Sequence, residues 1–173
     1  MAIVLAASGL NMQPGNRFQV KGNILLNAKE FAVNLGKDSD NIACCFNPRF
    51  ASHDGLNLTL LNSKQDGVWG DEMQHTLFPY KRGDNVKIIF AFHGSEIKVR
   101  VEDCYETFGV GKSLKLVKGK EGYFVKEEPL GGTVTYNPCR WNLELFFPNR
   151  LGLTEFNYLS VEGDFKVKGL KAL

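Results

Sequence analysis

Cys44-Cys45-Phe46-Asn47-Pro48-Arg49-Phe50 is the stretch on which the reading of this chain turns, because its side chains alternate in character. Residues two apart on a β-strand share a face. Cys44, Phe46 and Phe50 therefore point one way, toward a core. Cys45, Asn47 and Arg49 point the other way and set an amide and a guanidinium side by side toward solvent, spaced to converge on one small polar ligand. Each has a plainer reading: Asn47 before Pro48 as a turn former, Arg49 as the partner of a neighbouring carboxylate.

Similar short strand signals lie on both sides of it. They run over Arg17 to Lys21, Glu30 to Leu35, Ile42 to Phe46, Leu56 to Leu61, Asn85 to Phe92, Glu96 to Val101 and Phe165 to Leu170. The opening residues Ala2 to Ala7 read as a further strand, since no Lys or Arg precedes them as a signal peptide would require. Clusters such as Gln13-Pro14-Gly15-Asn16 and Lys81-Arg82-Gly83-Asp84 separate the runs. Nowhere does a 3.6-residue period persist, so an all-β sandwich or barrel with little helix is expected.

A second polar cluster follows: Asn62-Ser63-Lys64, expected after a turn, and Trp69-Gly70-Asp71-Glu72. A Trp beside Gly in polar surroundings suits an exposed ring. An exposed indole can stack on the apolar face of a pyranose, while Asn, Arg and Glu take its hydroxyls through charge-assisted or two-pronged hydrogen bonds. None of this needs a shifted pKa.

Bulk properties narrow the field. The 173 residues suit one domain with its own core, and 43% hydrophobic residues with thirteen Phe argue against disorder. A net charge of +2 lacks the basic footprint of a nucleic-acid binder. No apolar run approaches the roughly eighteen residues that cross a bilayer. Cysteines at 44, 45, 104 and 139 have neither a zinc spacing nor the density of a disulfide framework, so free thiols are expected and no metal or cofactor is implied. The sequon Asn57-Leu58-Thr59 is read as unused.

Phe46-Asn47-Pro48-Arg49-Phe50, His53, Asn62-Ser63-Lys64 and Trp69-Gly70-Asp71-Glu72 resemble, in order and spacing, the carbohydrate-recognition motifs of one-domain galectins. Asn34-Leu35-Gly36-Lys37-Asp38-Ser39 upstream, and Phe147-Pro148-Asn149-Arg150-Leu151 with Gly163-Asp164-Phe165 downstream, extend the likeness to residues 5 to about 106 and about 146 to 170. The resemblance implies a two-sheet jelly-roll sandwich of eleven or twelve antiparallel strands with a β-galactoside across its concave sheet. It implies Asn47 and Arg49 on the axial 4-hydroxyl of galactose, Asn62 and Glu72 on the 6-hydroxyl and Trp69 beneath the ring. Arg49 and Glu72 would reach the next sugar, with His53 lining that end. It further implies cytoplasmic residence with leaderless secretion, and a homodimer paired through strands near Ile3 to Leu5 and Val167 to Leu170.

Two positions depart from the family pattern. Cys45 stands where the family has His, and Gln74 where its Trp-Gly motif ends in Arg. A thiol is a weak hydrogen-bond partner, and an uncharged amide cannot hold Glu72 by charge. Weakened galactoside affinity follows, and with it an alternative: a galectin-fold protein that acts through protein contacts. A catalytic role for Asp71 or Glu72 with His53, or for Cys45 with His53, is demanded by nothing in the spacing.

The single domain, 1–173, is expected to carry an insertion at about 107–145 where the family has a tight hairpin. Loop closure makes such a length tolerable. Within it, Gly109-Val110-Gly111-Lys112-Ser113 mimics part of a P-loop but lacks the leading Gly, Glu106 occupying that position. Ser113 to Val117, Tyr123 to Lys126 and Thr133 to Tyr136 offer material for an added hairpin, and Trp141 an anchor for its return.

Overall fold

A computed structural model describes residues 1–51, 55–103, 113–120, 122–128 and 141–173. Two antiparallel sheets pack face to face. The larger, of seven strands, runs β1 (Ile3–Met12), β13 (Phe156–Gly163), β3 (Phe31–Asp38), β4 (Asn41–Arg49), β5 (Leu58–Gln65), β6 (Val68–Trp69), with β7 (Met73–His75) also paired to β5. The smaller runs β12 (Asn142–Pro148), β9 (Glu96–Asp103), β8 (Asn85–Phe92), β2 (Arg17–Ile24), β14 (Phe165–Ala172). The all-β jelly-roll expectation holds, the two sheets sharing twelve strands, and no helix occurs among the described residues.

Period-two patterning builds the interior. On β9 the side chains of Ile97, Val99 and Val101 are buried, and on β12 those of Leu143, Leu145 and Phe147, while the residues between them stay exposed or half-buried. Phe31, Val33, Leu35, Cys44, Phe46 and Leu61 meet them from the larger sheet in one continuous cluster. Burying a Phe, Leu, Ile or Val side chain stabilises by about 1.5–3 kcal/mol, so this layer carries most of the favourable free energy. Ring pairs order it: Phe31 stacks on Phe165 at 4.8 Å and Phe92 on Phe156 at 4.1 Å. Gly22 allows β2 to lie under Phe165, whose ring any Cβ there would meet.

The strands differ in extent from the sequence reading where polar residues turn out to be paired. Asn62, Ser63 and Lys64 do not follow a turn but lie within β5, and the turn comes later at Asp66-Gly67, both with positive φ. β12 pairs with β9 from Asn142↔Glu102 onward, so residues 142–145 form a strand of the sandwich even though sequence alone places them in the extra segment. Within that segment β10 (Ser113–Gly119) and β11 (Gly122–Glu128) form an antiparallel hairpin. Thr133 to Tyr136, Cys104 and Cys139 lie outside the described residues. Trp141 packs edge-on against Tyr80, ring centroids 5.5 Å apart, and its backbone N–H donates to Asp103.

Candidate functional site

The face of the larger sheet turned away from the core is the unusual one. Register sets Ser160, Asn34, Cys45 and Asn62 opposite one another across β13, β3, β4 and β5. A polar row of this kind on a sheet face can serve as a binding surface or as a network of internal bonds, and several of its groups are bonded internally. Asn34 donates through Nδ2 to Ser160 Oγ at 3.0 Å, while its Oδ1 is buried without a partner beside the register position of Cys45. Cys45 packs with Ala32, Ile42 and Tyr158 in a small second apolar cluster.

One strand turn along, Asn47 and Arg49 occupy the same face as Cys45, as alternation predicts. Asn47 is 5% exposed; its Nδ2 donates to Phe31 O at 2.7 Å and its Oδ1 accepts from Arg49 Nε at 2.9 Å. Arg49 is fixed from the other side by Glu72, Nη2 to Oε1 being 3.6 Å. The plain reading of Arg49 as a carboxylate's partner thus holds. Both groups keep more than a third of their side-chain surface exposed. Asn62 donates Nδ2 to Gly70 O at 3.0 Å and accepts at Oδ1 from Ser63 N and Arg150 Nη1. An amide nitrogen carries two hydrogens. Asn47 and Asn62 therefore each hold one N–H in reserve, next to an exposed guanidinium and an exposed carboxylate.

Trp69 ends β6 and is 49% exposed, with Lys64 Nζ 5.2 Å from its ring centroid. Gly70 sits close to the site, since a Cβ there would come within 3.3 Å of both Arg150 Nη1 and Ser63 Oγ and within 3.4 Å of Asn62 Oδ1. The Trp hairpin is therefore seated directly on Asn62. Cys45, Asn47, Arg49, Asn62, Trp69 and Glu72 line one cleft of about 530 Å³. A second hollow of about 620 Å³ opens beside Trp69, lined by Gln65, Asp66 and Val68 among others. His53, expected at the far end of the site, lies outside the described residues.

Burial, reinforced by the negative field of Glu162, pushes the Cys45 thiol up to about 12, so it stays protonated and offers only a weak S–H. Cys44, fully within the core, is pushed up by burial further still. Both are free thiols. Among the described residues no group of three or more His, Cys, Asp or Glu is arranged to hold a metal ion. Gln74, on β7 opposite Leu60, is exposed and supplies no charge to Glu72.

Arg150 is the residue that motif reading leaves without a role. Its Nη1 reaches Asp71 O at 2.8 Å, Ser63 Oγ at 3.3 Å and Asn62 Oδ1 at 3.4 Å, and its guanidinium lies 4.6 Å from the Phe147 ring centroid. It braces Asn62 and the backbone before Glu72 together, across 79 and 88 residues of sequence separation. That separation is why local pattern cannot find it. Its only sequence signal is its place in Phe147-Pro148-Asn149-Arg150-Leu151.

Residues 4–113 match the family model described as galactoside-binding lectin. The 16 kDa beta-galactoside-binding lectin of Gallus gallus is 38% identical over 167 residues, covering 96% of each chain. Galectin-1 of Capra hircus is 34% identical over 168 residues, 97% of this chain and 96% of that one. Among solved structures, CG-16, a homodimeric agglutinin from chicken liver, superimposes with a TM-score of 0.71 at 38% identity over 98% of both chains. A toad ovary galectin in complex with thio-digalactose gives 0.68 at 26% identity, covering 98% and 97%.

Proposed function

Because the chain belongs to the galactoside-binding lectin family, we propose that it is a lectin binding β-galactosides of the lactose and N-acetyllactosamine type, carried on glycoproteins or glycolipids, through the cleft on the larger sheet. The observation that carries this reading is the convergence of Asn47, Arg49, Asn62 and Glu72, each held by other protein groups, beside a half-exposed Trp69. Pre-set polar groups lose little entropy on binding, which is what a small, strongly hydrated ligand requires.

In this reading Asn47 and Arg49 donate to the axial 4-hydroxyl. Asn62 donates to the 6-hydroxyl, whose own proton goes to Glu72. Trp69 lies under the apolar C–H face that only an axial 4-hydroxyl leaves unbroken. Arg49 and Glu72 reach on to the next sugar. No bond is made or broken, and no metal or cofactor enters. Cys45 and Gln74 each remove one polar contribution, so affinity is below that of a site with His and Arg there. Calorimetric titration with lactose, on the chain and on Trp69→Ala, tests it.

Those same two residues support a second reading, in which the fold acts through protein contacts and sugar binding is lost. The same titration separates the two, since that reading gives no saturable heat. Homodimerisation fits either one. β1 and β14 are edge strands of their respective sheets, and β1 exposes Ile3 and Val4 by 62% and 46%. Such edges invite pairing with a second copy. Sedimentation at micromolar concentration is expected to show a dimer that Ile3→Lys disrupts, whereas a monomer at every concentration would dismiss it. The insertion is retained as part of this domain, in keeping with a relative of 16 kDa matched across 96% of both chains while this chain is 19.3 kDa. Two buried unpaired thiols suit a cytoplasmic pool that reaches the cell exterior by leaderless export.

A further inference from the structure

The charge of the cleft is opposite to that of the chain. Its lining side chains carry one guanidinium, Arg49, against three carboxylates, Glu30, Glu72 and Glu162, in a protein whose formal net charge is +2. Glu72 is held by Arg49. Glu30 and Glu162 are not: among the described residues neither forms an ion pair, and both are half-buried rather than free in solvent. They sit together at one end. Glu162 is the register neighbour of Ala32 on β3, and Glu30 bridges through its backbone to Arg49. Their negative field reaches the middle of the cleft, where both disfavour ionisation of the Cys45 thiol in addition to its burial.

Sugar geometry says what meets this end. In the galactoside reading, on which this inference rests, the 6-hydroxyl lies at Asn62 and Glu72 near β5 and the 4-hydroxyl at Asn47 and Arg49 on β4. Carbons 3, 4, 5 and 6 follow in order round the ring and out of it, so carbon 3 lies beyond carbon 4 from carbon 6. A substituent on the 3-hydroxyl therefore extends over β3 and β13, toward the end of the cleft that Glu30, Ala32 and Glu162 line together with Met1.

We propose that Glu30 and Glu162 make this end of the cleft a charge filter, admitting uncharged hydroxyl-rich substituents on the 3-position of galactose and rejecting acidic sugars and sulfate esters there. Ionised carboxylates only accept hydrogen bonds, so sugar hydroxyls suit them and another anion does not. A cleft screens less than open water, and a like charge built into a site is an effective way to exclude a competitor.

Calorimetry with four ligands tests the filter: lactose, its neutral 3′-galactosyl derivative, 3′-sulfated lactose and 3′-sialylated lactose, at low and at physiological salt. The two anionic ligands are expected to bind at least about tenfold more weakly than lactose, a gap that salt narrows. The neutral derivative should stay within about threefold of lactose, as no charge opposes it. Glu30→Gln with Glu162→Gln should bring the anionic ligands to within about threefold of lactose and leave lactose itself unchanged. Anionic ligands that match lactose on the unaltered chain overturn the filter. So does a gap that persists in the double Gln variant, or a neutral derivative rejected as strongly as the anions, which would mean steric exclusion. If lactose and every derivative fail to bind, the galactoside reading falls and the filter with it.

Discussion

Position 45 carries the sharpest residue-scale consequence. The thiol is 7% exposed in the cleft, stays protonated, and neighbours in register an Asn34 oxygen that has no partner. A hydrogen bond is worth about 0.5–1.5 kcal/mol, so Cys45→His, by supplying a real donor and acceptor, is expected to raise lactose affinity roughly three- to tenfold. Calorimetry on that variant measures it, and an unchanged or weaker affinity would show that the thiol is not what limits binding. The faces of Cys45, Asn47 and Arg49 were legible from alternation alone, since β-strand period is fixed by backbone geometry. The internal bonds that use up part of Asn47 and Asn62 were not, because they join residues from distant parts of the chain.

At the scale of elements, the β5 to β7 segment depends on a brace from outside itself. Arg150 connects Ser63, Asn62 and the Asp71 carbonyl, beneath the Trp69 hairpin. Arg150→Ala leaves those acceptors to water and is expected to weaken lactose binding by about 1–2 kcal/mol while lowering global stability by less than that. Trp69 fluorescence and its quenching by iodide would report the loosened hairpin, and unchanged quenching with unchanged affinity would show the brace to be dispensable. Strand existence was readable wherever apolar residues alternate, as in β8 and β9. The boundaries of β5 were not, because Asn62 to Lys64 are polar residues whose pairing with β4 and β6 outweighs their preference for turns. The start of β12 was hidden for a related reason: Asn142 and Glu144 face solvent, so only half of that strand reads as core.

At the scale of the whole molecule, three buried groups among the described residues tie stability to pH. Burial raises the folded-state pKa of Cys44, Cys45 and Tyr80 above ordinary values of 9.0 and 10.0. A raised pKa means that the native state holds protons that the unfolded chain releases. Their contribution is therefore complete below about pH 9 and falls as pH rises through the folded values. Urea midpoints are expected to be level between pH 7 and 8.5 and to drop by pH 10.5, less so in a Cys44→Ala, Cys45→Ala double variant. A midpoint independent of pH to 10.5 would mean these groups are not buried as described. The sandwich as a whole was the most legible level, since motifs from both ends of the chain agreed on it. The extra segment was the least, because its composition, six basic residues against four acidic ones over 107–145, fits a solvated extension and an added hairpin equally well.

Titration of the chain with lactose by calorimetry is the most direct test of the cleft as a galactoside site. Saturable binding of one lactose per chain, abolished in Trp69→Ala and strengthened in Cys45→His, is the predicted result. An absence of heat up to tens of millimolar lactose in both the unaltered chain and Cys45→His would contradict it.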